Sequence, residues 1–402
     1  MADASKRQST RFLLLYALAA AGGAVAYVPF LTVLLPVRIT AMSGGEADVG
    51  ALAYITLGGA LAASTANILF GWLSDLTGHR RGWVIAGLLL SCALLVSMPL
   101  AQSFPMLAAM IVLWQIGLNM MLAPLAAWAG DCVPDSQKGT LGGLLALAPA
   151  LGALSGALVT IPDLAGPEMR LWIVAFLVAL MVLPAVLVGR PEPMPQLMAD
   201  LAPGFEEERP VALKSRSAVV RMWLARLLVQ IAEAALFAYL LFWFTGIDDS
   251  IRDSDTARIF AVVLGLAVPL AIVVGRWSDR RARPILPLAC CAVLTAVGLV
   301  VMAVSQGLEI AIAGYVLFGL AASVFLSLHS AQTLRVLPRA RRRGRDLGLF
   351  NLTNTVPSLI MPWLALKMVP LFGFGGLFWL LAMLALIAAI LLVSLARFPR
   401  AG

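Results

Sequence analysis

Arg226, Gln230 and Glu233 interrupt the apolar stretch that follows Arg221 and runs to 244. With Trp223 they recur at spacings of 3, 4 and 3, which sets all four on one face of a helix. Counted from Arg221 at about 1.5 Å per residue, Glu233 lies roughly 18 Å into that helix. An acid at such a depth in a membrane is costly unless it faces protein or water. A carboxyl that titrates as its access to solvent changes can carry a proton. The alternatives are a structural ion pair with Arg226 or a hydrogen bond that locks helices together. Other polar groups fall inside apolar runs: Tyr27, Gln115, Asn119, His329, Gln332, Asn351 and Asn354. Their amides and hydroxyls could bind a hydroxylated solute while Trp114, Trp243 or Tyr239 stacks against its apolar face. Each alone also serves as interhelical glue. His329 is the only histidine within a run; its ring suits proton relay, and helix packing is its plainer role.

The elements that position these residues follow from composition. The chain has 402 residues, 61% hydrophobic and only 12% charged. Soluble domains average about 45–50% apolar and about 25% charged. Apolar runs long enough to cross a bilayer recur along the sequence, so the expected fold is an all-α polytopic membrane protein. Twelve spans are expected: 11–35, 49–72, 82–102, 105–130, 138–161, 170–189, 218–244, 257–276, 284–304, 309–335, 346–368 and 373–396. The first is too long for a secretory leader and reads as a retained helix. With the N-terminus inside, the outer segments carry only Arg38, Arg170, Arg252, Arg258 and Lys367, and Arg226 lies within a span. The rest of the 29 basic residues are inner, which predicts both termini in the cytoplasm. The net charge of +8 is thus topology and attraction to anionic lipid, not a nucleic-acid surface. Residues 190–217 are rich in proline and charge and read as a cytoplasmic linker between two six-helix bundles, 1–189 and 218–402.

Four cysteines, Cys92, Cys132, Cys290 and Cys291, sit in or beside spans and read as small apolar residues. With only His79 and His329, a histidine-rich metal site is excluded, and no Walker loop, HExxH, CxxC or GxSxG occurs. No metal, cofactor or enzymatic activity is expected, so any uphill movement of a solute would draw on an ion or solute gradient unless a partner supplies the energy.

One loop repeats. Gly71-Trp72-Leu73-Ser74-Asp75-Leu76-Thr77-Gly78-His79-Arg80-Arg81 lies between two apolar runs, and Gly275-Arg276-Trp277-Ser278-Asp279-Arg280-Arg281-Ala282-Arg283 echoes it about half the chain later. An aspartate at a helix C-terminus is unfavourable unless a helix N-terminus or an arginine meets it. The first loop resembles the signature between helices 2 and 3 of the major facilitator superfamily, and the second its degenerate copy. With twelve spans and a central linker, the resemblance covers nearly the whole chain. It implies alternating access between two six-helix bundles. It also implies a cytoplasmic gate of Gly71, Asp75, Arg80 and Arg81, with Gly275, Asp279 and Arg283 as a second latch.

More narrowly, Asn119 to Lys138 and the stretch from Leu337-Pro338 to Gly344-Arg345-Asp346-Leu347-Gly348-Leu349-Phe350-Asn351 are similar to sucrose-type glycoside–cation symporters. That likeness makes Asp131 a second proton site; the alternative is that it joins the inner latch near Arg80 and Lys138. Ala126 stands where that group has an arginine, and no acid lies between Asp48 and Asp75, where its sodium-coupled members have theirs. Ala148-Pro149-Ala150-Leu151-Gly152-Ala153 partly resembles the motif of drug–proton antiporters, although Gly142, Gly143, Gly152 and Gly156 also suit close packing.

The expected protein is a monomeric secondary transporter of a bacterial-type inner membrane. Its expected partners are a small polyhydroxylated solute, protons and the bilayer. The alternatives are proton-coupled export of an amphiphile and a non-transporting membrane scaffold.

Overall fold

The computed structural model describes residues 7–44, 49–161, 164–194, 197, 216–248, 251, 253–337 and 342–396. Among them the chain is helical with no strand, and ten stretches are long and apolar enough to cross a membrane. Helix α1 (Thr10–Pro29) opens on Ser9, whose hydroxyl accepts from the backbone N–H of Phe12. A π-helical turn, Phe30–Leu34, joins it to α2 (Leu35–Met42). There follow α3 (Val49–Thr77), α4 (Arg80–Ser97) and α5 (Phe104–Cys132). Ser103 caps α5 by accepting from Met106, and Pro105 in its first turn has no N–H to leave unpaired.

The fifth expected span is two helices, α6 (Lys138–Leu145) and α7 (Leu147–Val159). Pro149 has no N–H to offer the carbonyl of Leu145, so the ladder breaks there and Ala146 instead donates to Gly143. Helix α8 (Pro167–Leu187) closes the first half. The second half contains α9 (Arg216–Ile247), α10 (Asp253–Arg280), α11 (Leu286–Val304), α12 (Leu308–Val336) and α13 (Arg343–Ala396). The last two expected spans both lie in α13, which breaks at Gly373, where φ is 66° and ψ is −178°. Glycine adopts that conformation without steric cost.

The described chain packs as two compact units. Unit 1 comprises Met1–Pro134, Leu147–Asp200 and Arg339–Asn351; unit 2 comprises Asp135–Ala146, Leu201–Pro338 and Leu352–Gly402. In unit 1, α1 packs on α7 and α8, and α5 packs on α3 and α4. In unit 2, α12 packs on α9, α10 and α11, and α6 lies against α10 and α12. Gly142 and Gly143 let α6 approach closely: an added Cβ would lie 2.9 Å from Cα of Leu328 and 2.6 Å from Cα of Ile272. Large apolar residues such as Phe176, Val273, Leu371 and Ile390 are exposed, as a lipid-facing surface requires. Most of the expected linker, 198–215, lies outside the described residues, as does Pro338.

Candidate functional site

Helix α9 begins at Arg216 and runs for 32 residues, so Glu233 sits near its middle. Glu233 is half-buried, and Gln230, one turn earlier, donates to its Oε2 at 3.0 Å. The other amide atom, Gln230 Oε1, is buried without a partner. Arg226 reaches across to two neighbouring helices. Its Nε donates to Thr353 Oγ1 at 3.1 Å, Nη1 to Ser330 Oγ at 2.9 Å and to the Leu326 carbonyl at 3.4 Å, and Nη2 to Asn354 Oδ1 at 3.3 Å. Every one of these acceptors is uncharged. The guanidinium is therefore tied to α12 and α13 rather than held by Glu233. Asn354 is exposed, which opens this end of the cluster. Tyr239 lies half-buried further along α9.

His329, on α12, is fully buried. Its Nε2 lies 3.0 Å from the Met222 carbonyl and its Nδ1 3.1 Å from the Thr333 hydroxyl. A carbonyl only accepts, so the partners assign the proton to Nε2. With both ring nitrogens engaged and no exposed edge, His329 locks α12 to α9 and offers a solute nothing to bind. Gln332 is buried too, its Oε1 without a partner.

Unit 1 holds a chain of amides. Asn67 donates to Asn119 Oδ1 at 2.9 Å, and Asn119 donates to the Gln115 carbonyl at 2.9 Å. All three residues are buried, and Gly59 of α3 packs against α5, an added Cβ lying 3.3 Å from Cγ2 of Ile111. Asn67, in the second apolar run, was not among the expected site residues, although an amide inside such a run is the same signal that marked Asn119. Tyr27 is 41% exposed. Asn351 is half-buried and belongs to unit 1, so it falls in a different unit from Asn354.

The two repeated loops have matching geometry. In unit 1, Asp75 ends α3 and accepts from the backbone N–H groups of Gly344 at 2.9 Å and Arg345 at 3.0 Å, in the first turn of α13. In unit 2, Asp279 ends α10 and accepts from Gly139 at 2.8 Å and Thr140 at 2.6 Å, in the first turn of α6, and from the Thr140 hydroxyl. Each carboxylate thus caps the N-terminus of another helix, where orphan N–H groups and the helix dipole favour negative charge. Gly71 and Gly275 permit the approach: a Cβ on either would strike the backbone oxygen of Gly344 or Gly139.

Around Asp75 the charges form a chain. Arg80 donates to Asp75 at 2.6 Å and to Asp131 at 2.9 Å, and Arg343 donates to Asp131 at 2.6 Å. The side chains of all four are 10% exposed or less, so these pairs are desolvated. Arg343 also donates to the Leu197 carbonyl. Asp131 therefore sits among the charges around Asp75. Lys138 pairs with Asp135 instead. Arg81 turns away from Asp75, donating to the Gly189 carbonyl and lying 5.1 Å from the Trp128 ring centroid. At the second loop Arg335 reaches Asp279 at 3.2 Å, whereas the backbone of Arg283 closes onto Ser278. Arg283 was expected beside Asp279 from the family resemblance of the repeated loop; the packing of α12 on α10 brings in Arg335. No group of histidine, cysteine and acidic residues among the described residues could hold a metal.

A family model described as Major Facilitator Superfamily matches residues 12–305 and 253–402. Among curated proteins no match is found. Several solved structures share the fold. A bacterial homologue of the iron transporter ferroportin, in an outward-facing state, aligns with a TM-score of 0.74 at 16% identity, covering 96% of this chain and 99% of its own. The E. coli fucose:proton symporter FucP aligns with 0.71 at 14%, covering 96% and 99%. The proton:xylose symporter XylE, bound to 6-bromo-6-deoxy-D-glucose, aligns with 0.73 at 13%, covering 95% of both chains.

Proposed function

We propose that this chain, which belongs to the major facilitator superfamily, moves a small hydroxylated solute together with a proton, and that Glu233 carries the proton. Membership makes it a multi-pass secondary transporter that binds small molecules, and not an enzyme. The observation that carries the coupling is the state of Glu233. It lies mid-helix with one amide donor, while the nearby guanidinium is occupied by neutral oxygens. A carboxyl so lightly held can lose and regain a proton as its access to water alternates. The sugar–proton symport named for FucP and XylE is compatible with that chemistry, and the amides of Asn67, Gln115 and Asn119 suit hydroxyl groups. Asp75, Arg80, Asp131 and Arg343, with Asp279 and Arg335, form the contacts that break when the inner side opens. In this reading the protein acts as a monomer in the inner membrane with both termini in the cytoplasm.

The test is accumulation in reconstituted vesicles under an imposed pH gradient. Wild type concentrates its solute; Glu233→Gln loses uphill accumulation and keeps solute exchange. Undiminished accumulation by Glu233→Gln removes that residue from the mechanism. Export of an amphiphile against inward proton flow would establish the antiport alternative. Co-purification with a fixed partner, without ligand-induced stabilisation, would establish a scaffold.

A further inference from the structure

Arg226 poses a charge problem that its hydrogen bonds do not solve. Its donors meet Thr353, Ser330, Leu326 and Asn354, and none of these carries a negative charge. The guanidinium has five N–H groups and keeps one free of those contacts, on Nη2, beside exposed Asn354. Arg226 is half-buried, and a cation withdrawn even in part from water favours a counter-charge nearby, because hydrogen bonds to neutral groups replace only part of its hydration. Ionised Glu233 is the candidate nearest in sequence. It is two turns along the same face, at about 10 Å of helix rise. The other titratable groups near the pair are Tyr315 and His329, both on α12. Neither supplies a negative charge in its ordinary form. When Glu233 takes up a proton, the cluster is left with a net positive charge.

We infer that the solute bears a carboxylate, as a sugar acid or another hydroxylated acid does, and that Arg226 is its counter-charge. The inference rests on the proton-coupled reading of Glu233. In the empty state the ionised Glu233 balances Arg226. On loading, Glu233 binds one proton and the solute carboxylate takes over that balance through the open Nη2 edge. On release both leave, and Glu233 is ionised again. One proton and one negative charge cross together, so a monocarboxylate moves with no net charge. A neutral sugar carried with a proton would move one positive charge.

The experiment has two arms. In the first, thermal unfolding of the purified full chain is followed with acetate, lactate, gluconate and glucuronate, against neutral glucose and sorbitol, at about pH 5.5 and about pH 7.5, where these carboxyls stay ionised. At least one carboxylate raises the Tm of wild type, more at the lower pH. Glu233→Gln keeps the rise and loses its pH dependence. Arg226→Gln abolishes the rise, and Arg226→Lys, which keeps the charge and the fold but not the fork, retains part of it. In the second arm, uptake of the stabilising carboxylate into vesicles is driven by a pH gradient and is unmoved by an imposed potassium diffusion potential.

Stabilisation by a neutral sugar that survives Arg226→Gln overturns the carboxylate assignment and leaves proton coupling standing. So does the failure of every carboxylate to shift wild type more than Arg226→Gln. Carboxylate binding that requires Arg226 but drives no uphill uptake under a pH gradient overturns the coupling instead.

Discussion

Four carboxylates matter in this molecule, and they are satisfied in three ways. Asp75 and Asp279 hold peptide N–H groups, Asp131 holds two guanidinium groups, and Glu233 holds one amide. Removing the charge therefore has different consequences at each. Asp131→Asn leaves Arg80 and Arg343 buried with one counter-ion fewer, and breaking a buried pair costs about 3–5 kcal/mol. Thermal or denaturant unfolding in detergent should show a loss of that order; a change below about 1 kcal/mol would mean that water reaches the pair. Glu233→Gln keeps an acceptor for Gln230 but takes the nearby negative charge from Arg226; because Glu233 is half-buried and not hydrogen-bonded to the guanidinium, it should lose about 1 kcal/mol of stability while uphill transport is lost. The face bearing Arg226, Gln230 and Glu233 was legible from spacing alone. The partners of Arg226 were not: Ser330, Thr353 and Asn354 are about a hundred residues away or more, and single hydroxyls in apolar runs leave no pattern.

The helices were legible as apolar runs, and their ends as clusters of charge, glycine and proline. The irregularities inside them were harder to read. Pro149 signals the break between α6 and α7, whereas the π-helical turn after Pro29 depends on packing that no local rule supplies. Close approach is likewise invisible in sequence, since two glycines of one helix can have opposite roles. In α10, a Cβ on Gly275 meets the Gly139 backbone, while Gly265 faces open space. Gly275→Ala should cost about 1–3 kcal/mol, because backbone cannot yield as a side chain can. Gly265→Ala should be neutral or stabilising by about 0.5–1 kcal/mol through helix propensity. Equal effects in an unfolding assay would mean that α6 is free to move off α10.

For the whole molecule, the Gly71 loop and its copy at Gly275, with the apolar runs and the linker, carried the resemblance to the superfamily whose model matches the chain. Which short segments pack with which unit was not readable. Asp135–Ala146 belongs with unit 2 and Arg339–Asn351 with unit 1 because aspartates remote in sequence cap them. The distribution of arginine and lysine predicts that both termini lie on the basic, cytoplasmic side. A fluorescent-protein fusion at the C-terminus should glow and an alkaline phosphatase fusion there should be inactive; the reverse pair of results would invert the topology.

The caps on α6 and α13 also make the fold's tolerance to mutation one-sided. The donors are peptide groups, so the lock is largely indifferent to side chains on the helix it holds. Arg345 can drift without releasing Asp75, and Thr140 without removing the two main-chain bonds to Asp279. Only proline in the receiving turn deletes a donor. On the other side, replacing either aspartate by a residue without a side-chain acceptor removes every bond at once. Compensation for such a lesion should therefore arise elsewhere in the chain, since a receiving turn made of backbone has no partner residue to co-vary.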